Sequence, residues 1–99
     1  AKRMGFAPLD PVLHNQLRLA VMSLLVAVEE GDFNFLLEKT CATRGNLSVQ
    51  ITKLKEAGYI TVKKTFKNNY PNTVCSISQK GLKAFEQYVK AIKDYLKTE

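Results

Sequence analysis

Apolar residues recur at three- and four-residue intervals in four stretches of this chain. Two shorter stretches have the pattern of extended strands. The first stretch predicts a helix that begins at Asp10-Pro11 and runs to about Val28, before a stop at Gly31. Its two apolar faces make it either a central core helix or a helix partly buried against a second subunit. The faces comprise Leu13, Leu17, Ala20, Leu24 and Val28, and Val12, Leu19, Met22 and Val26.

Two further helical stretches lie close together in the sequence. The second helix is predicted from Phe33 to about Thr40, with Asp32 as its cap. The third is predicted to begin after a cap at Thr43 and to end at Gly58, a residue suited to the left-handed conformation. Two helices joined by a turn of three or four residues form a helix-turn-helix.

Beyond residue 58 the pattern changes from helical to extended. The runs YITVKKTF and NTVCSI are rich in β-branched and aromatic residues, and KNNYP between them supplies turn-forming residues, so a hairpin is predicted. A final helix begins near Ser78 and continues to the C-terminus. Its apolar residues have the spacing of a coiled-coil seam, which favours packing on another helix. They are Leu82, Phe85, Val89, Ile92 and Leu96, widened by Tyr88 and Tyr95.

The third predicted helix needs few of its side chains for the core. At about 100° per residue, Leu47, Ile51 and Leu54 fall in one narrow arc, so the other side chains face outward. The outward residues include amide, hydroxyl and cationic groups, which suit the base edges and phosphates of DNA. An exposed helix usually carries more Glu, whereas residues 39–67 contain seven basic residues and one acid, Glu56.

Length and composition indicate one ordinary globular domain. Ninety-nine residues, 45% of them hydrophobic and 24% charged, are enough for one modest core. The net charge of +6 is unevenly placed: three basic and five acidic residues precede Lys39, giving −2, whereas twelve basic and four acidic residues from Lys39 onward give +8. This asymmetry favours a cationic face and a polyanionic partner.

The sequence also predicts where the protein acts. No apolar run approaches the roughly 20 residues that a membrane-spanning helix needs, and residues 1–10 lack a secretory signal, so we expect a cytoplasmic protein with no membrane partner. Cys41 and Cys75 are expected to be reduced, buried thiols. We identify no cofactor motif.

The order helix, helix, helix, strand, strand, helix is the layout of a winged helix. The segment NLSVQITKLKEAGYI resembles the recognition segment of winged-helix regulators of the MarR and ArsR type, and SISQKG is similar to the motif that opens the last helix of MarR-like proteins. The resemblance spans about residues 10–96 and is greatest to small single-domain MarR-like proteins. It implies an α+β, mainly helical fold, with one domain over residues 1–99, in a homodimeric transcriptional regulator that binds double-stranded DNA.

The resemblance also implies where the contacts lie. The third helix is expected in the major groove, and the basic hairpin on the DNA backbone or in the minor groove. The expected DNA-binding residues are Thr43, Arg44, Asn46, Ser48, Val49, Gln50, Lys53, Lys63, Lys64, Lys67, Asn68 and Asn69. The expected dimer interface comprises Val12, Leu19, Met22, Val26, Phe85, Tyr88, Val89, Ile92, Tyr95 and Leu96.

Three features depart from the MarR-like pattern. Cys41 stands where such turns often have glycine, so it either avoids positive φ or is strained. Gln50 stands where relatives often have histidine. Between Lys67 and Lys80 there is neither Arg nor Lys, although relatives often place an arginine in this part of the hairpin. This absence argues against insertion of a guanidinium into the minor groove.

Other functions have less support in the sequence. An enzyme is not expected, because the chain has one histidine, His14, and no serine or cysteine beside a plausible base. A metal sensor of the ArsR type would need more ligands than two thiols and one imidazole, unless two subunits share a site. The principal alternative is a winged helix that binds protein or RNA, since a fold does not fix a function. The sequence identifies no small-molecule effector.

Overall fold

The computed structural model describes residues 8–96, which form four helices and a three-stranded antiparallel sheet. The elements are α1 (Gln16–Val28), β1 (Glu30–Asp32), α2 (Phe33–Thr40), α3 (Arg44–Glu56), β2 (Ile60–Lys67), β3 (Tyr70–Ile77) and α4 (Gln79–Leu96). The sheet order is β1-β3-β2. The predicted fold class is confirmed. Strand β1 was not predicted, because three residues are too few to show a periodic pattern.

Helix α1 begins at Gln16, later than predicted. Asp10 does act as a cap, since its carboxylate accepts the Val12 N–H at 2.9 Å, but it closes only a single turn. Asn15 then takes an extended conformation, with φ of −153°, and its side chain accepts the Arg18 N–H at 2.9 Å. The helix therefore starts from a second cap.

The residue that stops α1 is Glu29 and not Gly31. The helix ends at Val28, as predicted, and Glu29 takes φ of 71° while its N–H donates to the Leu25 carbonyl. Gly31 lies in β1, opposite Cys75 of β3. The chain therefore turns directly from α1 into an edge strand of the sheet.

Helices α2 and α3 form the predicted helix-turn-helix with both predicted caps. The Asp32 carboxylate accepts the Phe35 N–H at 2.8 Å, and the Thr43 hydroxyl accepts the Asn46 N–H at 3.1 Å. The turn between the helices bends at Cys41, whose φ is 58°. A side chain in this left-handed region is unfavourable, so Cys41 is strained.

The end of α3 is fixed by a Schellman motif. Gly58 has φ of 82°, and its N–H donates to the Lys55 carbonyl at 2.9 Å. The Tyr59 N–H donates to the Leu54 carbonyl at 3.0 Å, which completes the motif. The Tyr59 carbonyl in turn accepts the Ser78 N–H at 3.0 Å, linking this turn to the start of α4.

The first turn of α4 lies against the backbone at Tyr59. A Cβ added to Gly81 would be 2.0 Å from the Tyr59 carbonyl oxygen, so only glycine fits. The Ser78 hydroxyl donates to the Gly58 carbonyl at 2.6 Å and accepts the Gly81 N–H at 2.9 Å.

The Tyr59 hydroxyl donates to Asp10 at 2.5 Å. Burial, with help from this carboxylate, raises the pKa of Tyr59 to about 12.

The core face of α1 lies between the two predicted apolar faces. Val21, Met22 and Leu25 have no exposed surface, whereas residues of both predicted faces are mostly half-buried around them. A face centred between two apolar stripes buries part of each. This explains why neither stripe alone identified the core.

Two residues of the expected dimer interface are buried within the chain itself. Met22 has no exposed surface, and Tyr88 is 6% exposed, with its hydroxyl 3.0 Å from the His14 Nδ1. Neither side chain has surface left for a partner, so both are removed from the interface. This hydrogen bond gives His14 a structural role.

Strands β2 and β3 form the predicted hairpin, hereafter called the wing, with a shorter turn than expected. Asn68 and Asn69 alone make the turn, with φ of 52° and 66°, as a two-residue hairpin turn of this type requires. Tyr70 and Pro71, expected in the turn, belong to β3. Pro71 lies beyond the part of β3 that pairs with β1, a position where proline is tolerated.

Within residues 8–96 no helix is long and apolar enough to cross a membrane. The expectation of no secretory signal depends mainly on residues 1–7, which lie outside the described range. The predicted continuation of α4 to the C-terminus is followed only as far as Leu96.

Cys41→Gly is expected to raise the free energy of unfolding by about 1 kcal/mol, because it removes the Cβ from a left-handed position. Urea unfolding followed by circular dichroism measures the change. Cys41→Ala is the matched control, since it removes the exposed thiol but keeps the Cβ. Equal stability of the Gly and Ala variants would contradict the assignment of strain.

Candidate nucleic-acid interface

Helix α3 is held in the fold by one narrow edge. Leu47 and Leu54 have no exposed surface and Ile51 is 6% exposed, as predicted. The remaining residues of the helix are exposed or half-buried. The open surface of α3 comprises a flank toward the wing, an outer ridge and a flank toward α1.

The flank toward the wing borders a groove of about 400 Å³. Arg44, Ser48 and Lys55 line the groove from α3, and Lys64 and Thr73 line it from the wing. Thr52 of α3 also lines it, so three cations and three hydroxyls meet in one open depression. These groups are donors that suit the phosphate oxygens and sugars of a nucleic acid.

Arg44 is positioned by α2. Its guanidinium carbon lies 5.6 Å from the centre of the Phe33 ring, and its Nη2 donates to the Asn34 Oδ1 at 3.4 Å. Both contacts leave the side chain exposed. Within residues 8–96 no carboxylate forms an ion pair with this guanidinium, so it is directed and keeps its charge.

The flank toward α1 carries a chain of side-chain hydrogen bonds. The Arg18 Nη1 donates to the Gln50 Oε1 at 2.5 Å, and the Gln50 Nε2 donates to the Asn46 Oδ1 at 3.0 Å. Arg18 is itself fixed, because its Nε donates to the Val12 carbonyl at 2.6 Å. Gln50 is therefore half-buried and preset in orientation, whereas the sequence had suggested a freely exposed amide.

The outer ridge of α3 is formed by Gly45, Val49 and Lys53. Val49 is 49% exposed, although it is apolar. A Cβ added to Gly45 would meet nothing within 4 Å, so the packing of this chain does not require glycine there. The ridge therefore has no side chain at its first turn, because of Gly45, and an apolar side chain at its second, Val49.

The lysines of the wing do not act as one group. Lys64 reaches the groove beside α3, whereas alternation along β2 puts Lys63 on the opposite face. The Lys67 Nζ lies 3.9 Å from the Asp32 carboxylate, a loose surface pair. Asn68 and Asn69 are explained by the positive φ of the turn, whatever else their side chains contact.

Several residues of this surface were absent from the expected site, among them Thr73 of the wing. Arg18 was missed because it is distant in sequence, and only the fold brings it to α3. Thr52 and Lys55 line the groove from the C-terminal half of α3, where Lys53 alone is expected to contact DNA. Gly45 carries no chemical group that would mark it, yet a glycine inside a predicted helix is itself a signal.

The thiols do not form a site with other ligands. Cys41 is exposed, contrary to expectation, and Cys75 is buried; both are free. Burial, with a smaller effect from Asp32, raises the pKa of the Cys75 thiol to about 11. Among residues 8–96 no three histidine, cysteine or acidic side chains come together as a possible metal site.

The family of the chain follows from its sequence as well as its fold. A profile described as "winged helix DNA-binding domain" matches residues 17–96. The chain belongs to this family. It is also 33% identical over 81 residues to the uncharacterized protein MJ0432 of Methanocaldococcus jannaschii, covering 82% of this chain and 88% of that protein.

Solved winged-helix structures share this architecture. A transcriptional regulator homologue from Pyrococcus horikoshii OT3 aligns with a TM-score of 0.80 and 25% identity, over 86% of this chain and 84% of its own. A MepR-like protein complexed with pseudoligands and NadR in complex with 4-hydroxyphenylacetate each align with a TM-score of 0.71. Their identities are 13% and 20%, and 63% of each is covered, so they show the fold alone. The predicted winged helix is confirmed.

Gly45→Ala is expected to raise the free energy of unfolding by about 0.5 kcal/mol, since alanine favours the helix and its Cβ meets open space. Urea unfolding measures this change. The contrasting variant is Gly81→Ala, which should lower stability because its Cβ would overlap the Tyr59 carbonyl. A loss of stability in Gly45→Ala would show that the fold itself requires this glycine.

Proposed function

We propose that the protein is a sequence-specific, double-stranded-DNA-binding transcriptional regulator that acts as a homodimer. In this proposal α3 lies in the major groove, and the wing contacts the DNA backbone or the minor groove. The observation that supports it most is the narrow anchoring of α3 through Leu47, Ile51 and Leu54, which leaves both flanks of the helix open. A regulator of this kind acts on the chromosome, so we place it in the cytoplasm.

The proposed division of labour follows the chemistry of each flank. Gln50 and Asn46 offer amide groups that suit adenine, and their mutual hydrogen bond presets both. Val49 on the outer ridge provides an apolar surface for a thymine methyl group. Ser48 and Lys53 are polar and exposed beside it. Sequence preference is therefore expected to come from the ridge and the α1 flank.

The groove between α3 and the wing is assigned to phosphate binding. Arg44, Lys55 and Lys64 face it without a carboxylate partner among the ion pairs of residues 8–96. Contacts from such cations to phosphates add affinity without choosing a sequence. The Thr43 hydroxyl accepts the Asn46 N–H as the cap of α3, and its own O–H is left to donate to a phosphate.

The proposal of a homodimer is supported by the face that α4 leaves uncovered. The residues of α4 buried within the chain are Gly81, Tyr88 and Ala91. The coiled-coil seam predicted from the sequence lies about a quarter of a turn away around the helix axis. Its residues remain half-buried or exposed: Leu82, Phe85, Val89, Ile92 and Leu96.

On α1 and in the turn before it, three half-buried residues of the expected interface remain available. They are Val12, Leu19 and Val26. A dimer through α1 and α4 would hold two copies of α3 about one helical turn of DNA apart, roughly 34–36 Å. The operator is then expected to be an imperfect palindrome.

Lys64→Ala is expected to weaken binding equally on all sequences and to lower the slope of log affinity against log salt by about 0.9 per lost phosphate contact. Gln50→Ala is expected to change sequence preference instead, because the preset amide is lost. Fluorescence anisotropy with a duplex selected from a random pool by the wild-type protein, and with a scrambled duplex, measures both. Gln87→Ala, in the exposed part of α4, is the matched amide control. The reverse pattern in the two variants would refute the assignment.

Val89→Glu is expected to convert the dimer into monomers, because it places a charge in the apolar seam of α4. Sedimentation equilibrium at about micromolar concentration measures this, and circular dichroism should be unchanged because Val89 is 37% exposed within the chain. Gln87→Glu adds the same charge to α4 away from the seam and should remain dimeric. A wild-type protein that sediments only as a monomer would contradict the proposed dimer.

A further inference from the structure

The tip of the wing carries two strongly exposed aromatic side chains. Phe66 is 77% exposed and Tyr70 is 73% exposed, and neither belongs to the hydrophobic core or packs against it. Pro71 beside them is also exposed. Single exposed apolar residues are ordinary, but a cluster at the end of a projecting hairpin favours a contact surface.

The register of the wing places these two aromatics on opposite faces. Residues directly opposite each other in a ladder share a face, and successive residues along a strand alternate. Phe66 pairs with Pro71, and Lys64 pairs with Thr73, so these four share one face. Tyr70 is one residue out of step and lies on the other face.

The face that carries Phe66 is the one that borders α3. Lys64 and Thr73 line the groove whose other wall is α3. Nearer the base of the wing the same face is buried, as at Ile60 and Cys75. Phe66 thus extends the inner face of the sheet beyond the core, where the described part of the chain does not cover it.

The cationic side chains near this apolar tip all lie on one strand. Lys63, Lys64 and Lys67 lie on β2 before the turn, and residues 68–79 contain neither Arg nor Lys. A polyanion is therefore attracted to the wing, while the tip itself offers apolar and amide groups. This combination fits a minor groove, where Phe and Pro side chains pack against sugars and partly unstacked base steps.

We propose that Phe66, with Pro71 beside it, is an apolar contact that enters the minor groove of duplex DNA next to the bases contacted by α3. This inference rests on the proposed DNA-binding function. A wing with an arginine at its tip would contact the groove through a charge, whereas the contact proposed for Phe66 is apolar. Because an inserted ring separates stacked bases, it favours flexible pyrimidine–purine steps at that place in the operator.

Phe66→Ala tests the proposal in the full-length protein. With a labelled duplex selected from a random pool by the wild-type protein, affinity is expected to fall about ten-fold, the size typical of losing one aromatic contact with a base. The salt dependence should be unchanged because no charge is removed. Thermal stability should also be unchanged, since the ring is exposed.

Tyr70→Ala is the matched control. It removes an equally exposed aromatic ring from the same tip but from the opposite face, so affinity should stay within about two-fold of wild type. Phe66→Leu keeps an apolar side chain and should recover part of the affinity. A 2-aminopurine placed at the flanking step should brighten on binding of the wild type and respond less to Phe66→Ala.

The outcomes separate this inference from the proposed function. The inference would be overturned if Phe66→Ala lost no affinity, or if Phe66→Ala and Tyr70→Ala lost equal affinity. If wild-type binding still depended on Lys64, the proposed function would stand. Failure of the wild type to select any duplex from the pool would reject the proposed function, and the inference with it.

Discussion

The contact between the first turn of α4 and the backbone that follows α3 fixes how these two helices lie relative to each other. The Tyr59 carbonyl accepts the Ser78 N–H and leaves no room for a Cβ on Gly81. The Ser78 hydroxyl bonds both to Gly58 and to Gly81, so residues 58–59 and 78–81 are held together at one point. In the proposed dimer α4 carries the pairing face and α3 the DNA-contacting face. This junction would then set the distance between the two copies of α3.

The narrow anchoring of α3 separates folding from recognition. Because three aliphatic side chains hold the helix, most of its surface can vary without loss of the core. The exception is the flank toward α1, where Arg18 of α1 fixes Gln50. That hydrogen bond couples the most central helix of the fold to a side chain at the proposed interface. In the proposed complex, a change in the position of α1 would therefore reach the DNA through Gln50.

Two non-glycine residues accept unfavourable backbone conformations so that the turns stay short. Glu29 ends α1 with φ of 71°, which allows the chain to enter β1 at the next residue. Cys41 follows α2 with φ of 58°, so that only residues 41–43 separate α2 from α3. Each conformation is unfavourable by about 1–2 kcal/mol for a residue with a side chain. Packing on both sides of the turns offsets it.

Local chemistry in the sequence determined the elements of this protein. Caps at Asp32 and Thr43, the glycine after α3 and the three-residue core edge of α3 were all identified correctly, because each depends on neighbours within a few positions. The hairpin was found for the same reason. The α3 residues of the proposed site followed from that edge, since what does not face the core faces outward.

Tertiary structure decided the features that depend on distant partners. The strand β1 and the burial of Met22 and Tyr88 follow from how the helices and the sheet pack together, which no local pattern records. The hydrogen bond from Arg18 to Gln50 joins residues 32 positions apart in the sequence. Periodicity shows that a side chain is apolar or outward-facing, but only the packed chain determines what lies opposite it.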